Sequence, residues 1–300
     1  MRAATLYPNG PALGAISLGG ATFGREIDAD AAFSIMDHAF ARGISLFDTA
    51  ATYSDGASER IIGRWLHARR PPAEALSVST KIYPPFTPDA IDLAVAASAA
   101  RLGVETIDVL QLHRWDASAA TSSALIALAR LVSSGRVRAL GVSNFTASQL
   151  RSTLALQKQL GVPPFRVLQN NHNVAVRDID EPLRDLCSVH DIAILTYSPL
   201  GAGFLTGKHQ GGVQPGSRFA LSPAHQDLYF HPVAARRLAR LEQISARTHY
   251  PMPHLALAWA LHQPGITSVL VGARSVAHLD QAYAAATLDA PELLAELDSA

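Results

Sequence analysis

The chain has 300 residues, 48% hydrophobic and 17% charged, with 25 basic and 25 acidic side chains that cancel to no net charge. This composition excludes a disordered chain and describes a soluble globular protein in the size range of single α/β barrels, expected as one domain over residues 1–300. The balanced charge supplies no long-range pull toward nucleic acid or an acidic membrane surface.

At the N-terminus, Pro8 and the Asn9-Gly10 pair arrive before any apolar run long enough to act as a signal core. No later segment approaches about 18 uninterrupted apolar residues, so neither export nor a membrane span is expected. The lone Cys187 cannot close an intramolecular disulfide, and a cytoplasmic location fits it best. Asn9-Gly10 predicts a short β-hairpin. Eight strand candidates follow: "AISLGG" (15–20), "ISLFDTA" (44–50), "LSVSTKI" (76–82), "TIDVLQLH" (106–113), "VRALGVSN" (137–144), "RVLQNNHN" (166–173), "IAILTYSPL" (192–200) and "ITSVLVGA" (266–273).

Helix-period stretches separate these runs. In "DADAAFSIMDHAFARG", Phe33, Met36, Asp37, Phe40 and Ala41 give a mostly apolar stripe, and Gly43 ends the helix. Others are "ASERIIGRWLHARR", "TPDAIDLAVAASAARLG", "SSALIALARLVSSGR" and "TASQLRSTLALQKQLG", several starting on Ser, Thr or Asp and stopping at Gly. Trp65 and Trp259 lie on helical patterns and read as barrel packing. The alternation calls for a parallel sheet covered by helices. Eight repeats favour a closed (β/α)8 TIM barrel, with extra C-terminal helices, over an open doubly wound sheet. The "LGGATFG" after the first strand lacks the spacing of a dinucleotide-fold fingerprint. Residues 201–232, rich in Gly and Pro, are too long for an ordinary connection and read as a functional loop after strand 7.

Barrels of this type build their sites at the C-terminal ends of the strands. There the sequence places Asp48 with Tyr53 after strand 2, Lys81 on strand 3 and His113 on strand 4. Ser143-Asn144, Gln169 and Tyr197 end strands 5, 6 and 7. Only three of the 25 basic residues are lysines, Lys81, Lys158 and Lys208, so each one raises a specific question. Taken singly, Asp48 reads as a turn cap, Tyr53 as a packing residue and Lys81 as a solvated cation. Taken together, a carboxylate, an ammonium, a phenol and an imidazole on one rim are costly to bury unless they pair.

A free tyrosine titrates near ~10, too high to exchange protons readily at neutral pH. An adjacent lysine cation is expected to lower that value, with an aspartate holding the lysine charged, which makes Tyr53 a general acid. A neutral His113 imidazole donates a hydrogen bond to a carbonyl oxygen. None of these groups donates a hydride, so a reduction needs a cofactor. A Schiff-base role for Lys81 explains the lysine but leaves Tyr197, Gln169 and "GARS" without purpose. No His/Asp cluster at ligand spacing on the strand ends points to a metal.

The segments "FDTAATYSDGASERIIG", "STKI", "LQLH", "GVSNF", "TYSPLGAGFLTGK", "GSRF" and "VLVGARS" stand in an order and spacing that resembles the bacterial-type aldo-keto reductase family over nearly the whole chain. The resemblance implies an NAD(P)H-dependent carbonyl reductase with Asp48, Tyr53, Lys81 and His113 as catalytic tetrad. It implies that Ser143, Asn144 and Gln169 hold the nicotinamide carboxamide and that Tyr197 stacks on the ring. Ser198, Leu200, Gly203 and Leu205 match the pyrophosphate loop, with Lys208 and Arg218 as phosphate contacts. Gly272, Arg274 and Ser275 match the adenosine-phosphate segment, where an arginine fork favours NADP and leaves NAD as the alternative. The chain departs from the common pattern at His278, at Gln281-Ala282 and at His172, the first two at the adenosine end.

The expected substrate wall comprises Phe23, Tyr83, Phe86, Trp115 and residues near Phe219–Phe230, with Arg114 meeting a polar or anionic substituent or solvent. The resemblance implies a small carbonyl substrate and a monomer by default, with a homo-oligomer open. The rival reading is a cofactor-binding redox sensor or regulatory subunit with little turnover.

Overall fold

All eight strand candidates form strands, and these pair in parallel and in chain order until the last joins the first. In the computed structural model, which describes residues 4–299, they are β1 (Ile16–Gly19), β2 (Leu46–Asp48), β3 (Ser77–Ile82), β4 (Ile107–Leu112), β5 (Val137–Ser143), β6 (Val167–Asn171), β7 (Ala193–Tyr197) and β8 (Ser268–Gly272). The helices are α1 (Ala29–Ala41), α2 (Ala57–Arg69), α3 (Pro88–Leu102), α4 (Ser122–Ser133), α5 (Ala147–Leu160), α6 (Glu181–Val189), α7 (Arg218–Leu221), α8 (Pro232–Thr248), α9 (Met252–His262), α10 (Val276–Ala286) and α11 (Pro291–Asp298). Closure runs through β1 and β8, from Ile16↔Val269 to Gly19↔Gly272, which makes the sheet a (β/α)8 TIM barrel. Among the described residues no helix is long and apolar enough to cross a membrane.

The helix starts follow capping chemistry. Thr87 caps α3 ahead of Pro88, and Thr146 with Gln149 forms a reciprocal capping box on α5. The α1 stripe differs from expectation. Ala32, Ile35, Met36 and Ala39 are the buried positions, while Ala41 is exposed and Phe33, Asp37 and Phe40 are partly buried. The reason is a neighbour: Asp37 accepts from Trp65 Nε1 and pairs with Arg69, and Phe40 packs edge-on to Trp65, so this flank meets α2 and not the sheet.

Side chains alternate along each strand, so one inward position fixes the others. Leu46, Val109, Ala139, Val167, Leu195 and Leu270 form the apolar filling of the barrel. Steps of two residues from them reach Asp48, Gln111, Ser143, Gln169, Tyr197 and Gly272 at the upper rim. Beneath the filling, Leu6, Tyr7 and Leu13 form the floor, with Tyr7 Oη 2.9 Å from Ser77 Oγ. The predicted hairpin reduces to a turn at Asn9-Gly10 and one antiparallel bridge, Thr5↔Ala12, because its side chains plug the barrel instead of extending a ladder.

The helical layer is fastened to β3 from outside. Glu59 of α2 is fully buried, accepts from Thr80 Oγ1 at 2.6 Å and pairs with Arg101 Nε of α3 at 2.5 Å. Gly63 permits that approach, since a Cβ there would stand 2.5 Å from the Leu102 carbonyl oxygen. Cys187 is buried in α6, and burial pushes its thiol up to about 12, which makes it a packing residue.

Candidate active site

The inward alternation brings β2 and β3 together at the rim. Lys81 Nζ donates to Asp48 Oδ2 at 2.5 Å and to the Thr49 carbonyl at 2.8 Å, with both side chains almost wholly buried. The second carboxylate oxygen, Asp48 Oδ1, accepts from Gln169 Nε2 at 3.0 Å and faces Gln111 Nε2 at 3.4 Å. The ammonium also stands 5.1 Å from the centre of the Tyr53 ring. Burial pulls the Lys81 pKa down, but Asp48 and Tyr53 more than reverse this and hold it above the ordinary lysine value. The cation is therefore kept in a dry place.

Tyr53 departs from expectation. Burial raises its pKa, the Lys81 charge lowers it and Asp48 raises it again, and the balance is upward from the usual phenol value. Lys81 moderates the rise without overturning it, because removal of water around the ring outweighs one cation already shared with a carboxylate. His113 packs edge-on to Tyr53 at 5.8 Å and to Tyr83 at 5.9 Å, with Nδ1 3.3 Å from Thr52 Oγ1. Burial, then the charges of Lys81 and Arg114, lower its pKa to about 3, so the imidazole is neutral at physiological pH.

Across the mouth, Asn144 ties three strands. Its Oδ1 accepts from Tyr197 Oη at 2.7 Å, and its Nδ2 donates to the His113 carbonyl at 2.9 Å and to Ser143 Oγ at 3.0 Å. Ser143 Oγ in turn donates to the Gln169 carbonyl at 2.7 Å. Asn144 and Ser198 both adopt left-handed backbone, φ 59° and 55°, as rim residues that turn sharply out of their strands.

From this cluster a cavity of about 440 Å³ runs outward, reaching from Asp48, Tyr53 and Tyr197 to Arg274, His278 and Gln281. Ser198, Leu200, Gly203, Lys208, Arg218 and Gly272 line it between, whereas the Leu205 side chain is buried beneath the loop and Ser275 is exposed at the N-cap of α10. The long 201–232 segment holds two 3-10 turns, α7 and the start of α8, and its Phe204 and Phe219 rings both pack on Tyr229. That packing corrects the substrate wall: Phe23, Phe86 and Phe219 are 0% exposed and belong to the core, while Tyr83 is 46% exposed.

The cavity fits a diphosphate-bearing ligand. Gly203, at φ 97°, leaves a cradle in which a Cβ would come within 2.9 Å of Lys208 Cε. Arg218 lines it with a buried Nε that has no hydrogen-bond partner. Partial burial, then the Arg274 charge, hold Lys208 below the usual lysine value, as expected for cations clustered for an anion. His278 Nδ1 accepts from the Arg274 backbone N–H at 3.2 Å and so braces the turn into α10.

Sequence reasoning missed Gln111, which lies beside Asp48, and Glu26, which lines the cavity, pairs with Arg25 at 2.7 Å and stands 3.7 Å from Arg218. The signal for Gln111 was its inward alternation with His113; nothing local marked Glu26.

A parallel eight-stranded barrel with a buried Asp–Lys pair, a phenol, a neutral imidazole and a long cationic cavity at its mouth belongs to the oxidoreductase barrels. Residues 15–299 match the sequence profile described as the Aldo/keto reductase family, and the chain belongs to that family. It is 28% identical to an aldo-keto reductase of Metarhizium robertsii (92% of this chain, 82% of that one) and 30% identical to a probable aldo-keto reductase of Glycine max (83% and 72%). It is 28% identical to a putative aryl-alcohol dehydrogenase of Schizosaccharomyces pombe, over 87% of this chain and 88% of that one. Its fold is similar to that of the glycerol dehydrogenase of Gluconobacter oxydans, with a TM-score of 0.77, 26% identity and coverage of 100% and 95%.

Proposed function

We propose that this protein is an NADPH-dependent oxidoreductase that reduces aldehydes and ketones, or oxidises the corresponding alcohols or sugars, with Tyr53 as general acid. The observation that carries the reading is Lys81, held charged in a buried site between Asp48 and the Tyr53 ring, at the inner end of a cavity with cations at its outer end. The printed names of the relatives, reductases and alcohol dehydrogenases, support carbonyl and alcohol chemistry.

NADPH supplies the hydride when bound. Tyr197, held by Asn144, would hold the nicotinamide ring, and Ser143, Asn144 and Gln169 would hold its carboxamide. Lys208 and Arg218 would hold the pyrophosphate, and Arg274 with Ser275 would hold the 2′-phosphate. Tyr53 keeps its proton through neutral pH, because its pKa lies above the ordinary value, and delivers it to the carbonyl oxygen. The Lys81 ammonium offsets the phenolate left behind, and Asp48 keeps that ammonium in place. Neutral His113 donates a hydrogen bond to the same oxygen and steadies the charge developing there. The enzyme is read as cytoplasmic and as a monomer by default, with a homo-oligomer open, and as a single domain.

A fluorescence titration with NADPH and NADH, followed by reduced-nicotinamide absorbance with a panel of aldehydes, ketones and sugars, tests this reading. Binding with turnover is expected. Tight binding without turnover would put the redox-sensor reading first, and absence of binding would overturn the cofactor assignment.

A further inference from the structure

We propose that Arg114 is the specificity residue of this site and that the preferred substrate is an aldehyde or ketone carrying a carboxylate beyond an aromatic or alkyl body. The inference rests on the reductase reading above. Arg114 directly follows His113, and its guanidinium carbon lies 4.7 Å over the centre of the Tyr83 ring. Tyr83 in turn packs edge-on to His113 at 5.9 Å, as Tyr53 does at 5.8 Å. Tyr83, with Arg114 over it, therefore stands one ring away from the imidazole that meets the carbonyl oxygen.

Two properties of this pair select a ligand. Tyr83 leaves nearly half of its surface exposed, and Trp115, next in sequence to Arg114, is partly buried edge-on against Phe145 at 5.1 Å, so an apolar body has rings to cover. Arg114 makes no ion pair or hydrogen bond among the described residues; its contact is the Tyr83 face. A guanidinium that contacts a ring and makes no hydrogen bond keeps its planar fork of N–H groups available, and that fork takes a carboxylate through two parallel hydrogen bonds. The nearest acid in sequence, Asp116, is occupied by the backbone N–H of Ser118 at 2.9 Å and by the Ser118 hydroxyl.

Arg114 also helps to keep His113 neutral, and a role exercised through His113 would affect charged and uncharged substrates alike. The test is therefore a ratio: 4-formylbenzoate against its methyl ester, which share ring and aldehyde and differ in charge. In Arg114→Gln the acid-to-ester ratio of kcat/KM is expected to fall about tenfold, mainly through KM for the acid, with partial recovery in Arg114→Lys. A ratio that holds steady in Arg114→Gln overturns the proposal. Benzoate binding to the NADPH-loaded protein, followed by ligand-observed NMR, needs no turnover. Its Kd is expected to rise about tenfold in Arg114→Gln, and an equal Kd removes the anion site even if the protein is a competent reductase.

Discussion

The two ends of the cavity treat charge in opposite ways. At the inner end, Asp48 and Lys81 are buried, and protein donors and acceptors surround them before any ligand arrives. At the outer end, Lys208 and Arg274 are exposed and form no ion pair among the described residues. Charge at the inner end is locked by protein partners, whereas charge at the outer end is left without them. Arg218 lies between these extremes, with Glu26 3.7 Å away and its own Nε without a partner.

The sharpest way to break the inner end is chemical. Tyr53→Phe is expected to lower turnover by about 10²–10⁴-fold while NADPH titration and thermal unfolding stay near wild type; wild-type turnover would remove Tyr53 from its role. Lys81→Met attacks the pairing itself and leaves the Asp48 carboxylate buried without its cation. A loss of about 3–5 kcal/mol in urea unfolding is expected, with partial recovery when Asp48→Asn is added. At the outer end, Lys208→Ala is expected to leave stability unchanged and to weaken NADPH binding by about tenfold or less, with the deficit shrinking as salt rises. A large fall in unfolding midpoint would show that Lys208 is structural.

The smallest effect concerns buried groups that avoid charge altogether. Burial holds His113 at about 3 and His172 at about 4, both below 6.5, so between these values the unfolded chain binds protons that the native state does not. Stability is then fully present above about 6.5 and declines as pH falls toward 4. His172 stacks on Trp259 with ring centres 5.3 Å apart, so His172→Phe keeps the stacking and removes the titration. Urea unfolding across pH should show a slope flattened by at most about 1.4 kcal/mol per pH unit; an unaltered slope would mean that His172 titrates normally.

The barrel was legible because eight β-branched runs alternate with capped helical stretches, and each signal is local. Asp48, Lys81, Gln169 and Tyr197 were legible as polar groups at the ends of apolar runs. What escaped depends on distant neighbours. Phe219 looks like a loop aromatic from its Gly/Pro-rich surroundings but is sealed by His209, Tyr229 and Phe230. The direction of the Tyr53 shift is a contest between burial and one cation, and sequence reveals the cation but not the amount of water removed. The Glu26–Arg218 approach joins segments with no shared pattern.

Thr80 sits between Ser79 and Lys81 but turns to the helices, where it donates to Glu59, which Arg101 holds from the other oxygen. The absence of a side chain at Gly63 lets the end of α3 close on α2 tightly enough for that contact. The strand that presents Lys81 is thus gripped from both faces, and its height in the rim is set partly by residues that no substrate meets. Divergence in this protein has two separate dials: exchanges in the rim loops change what is recognised, while exchanges in the α2–α3 seam retune the placement of the ammonium and leave recognition alone.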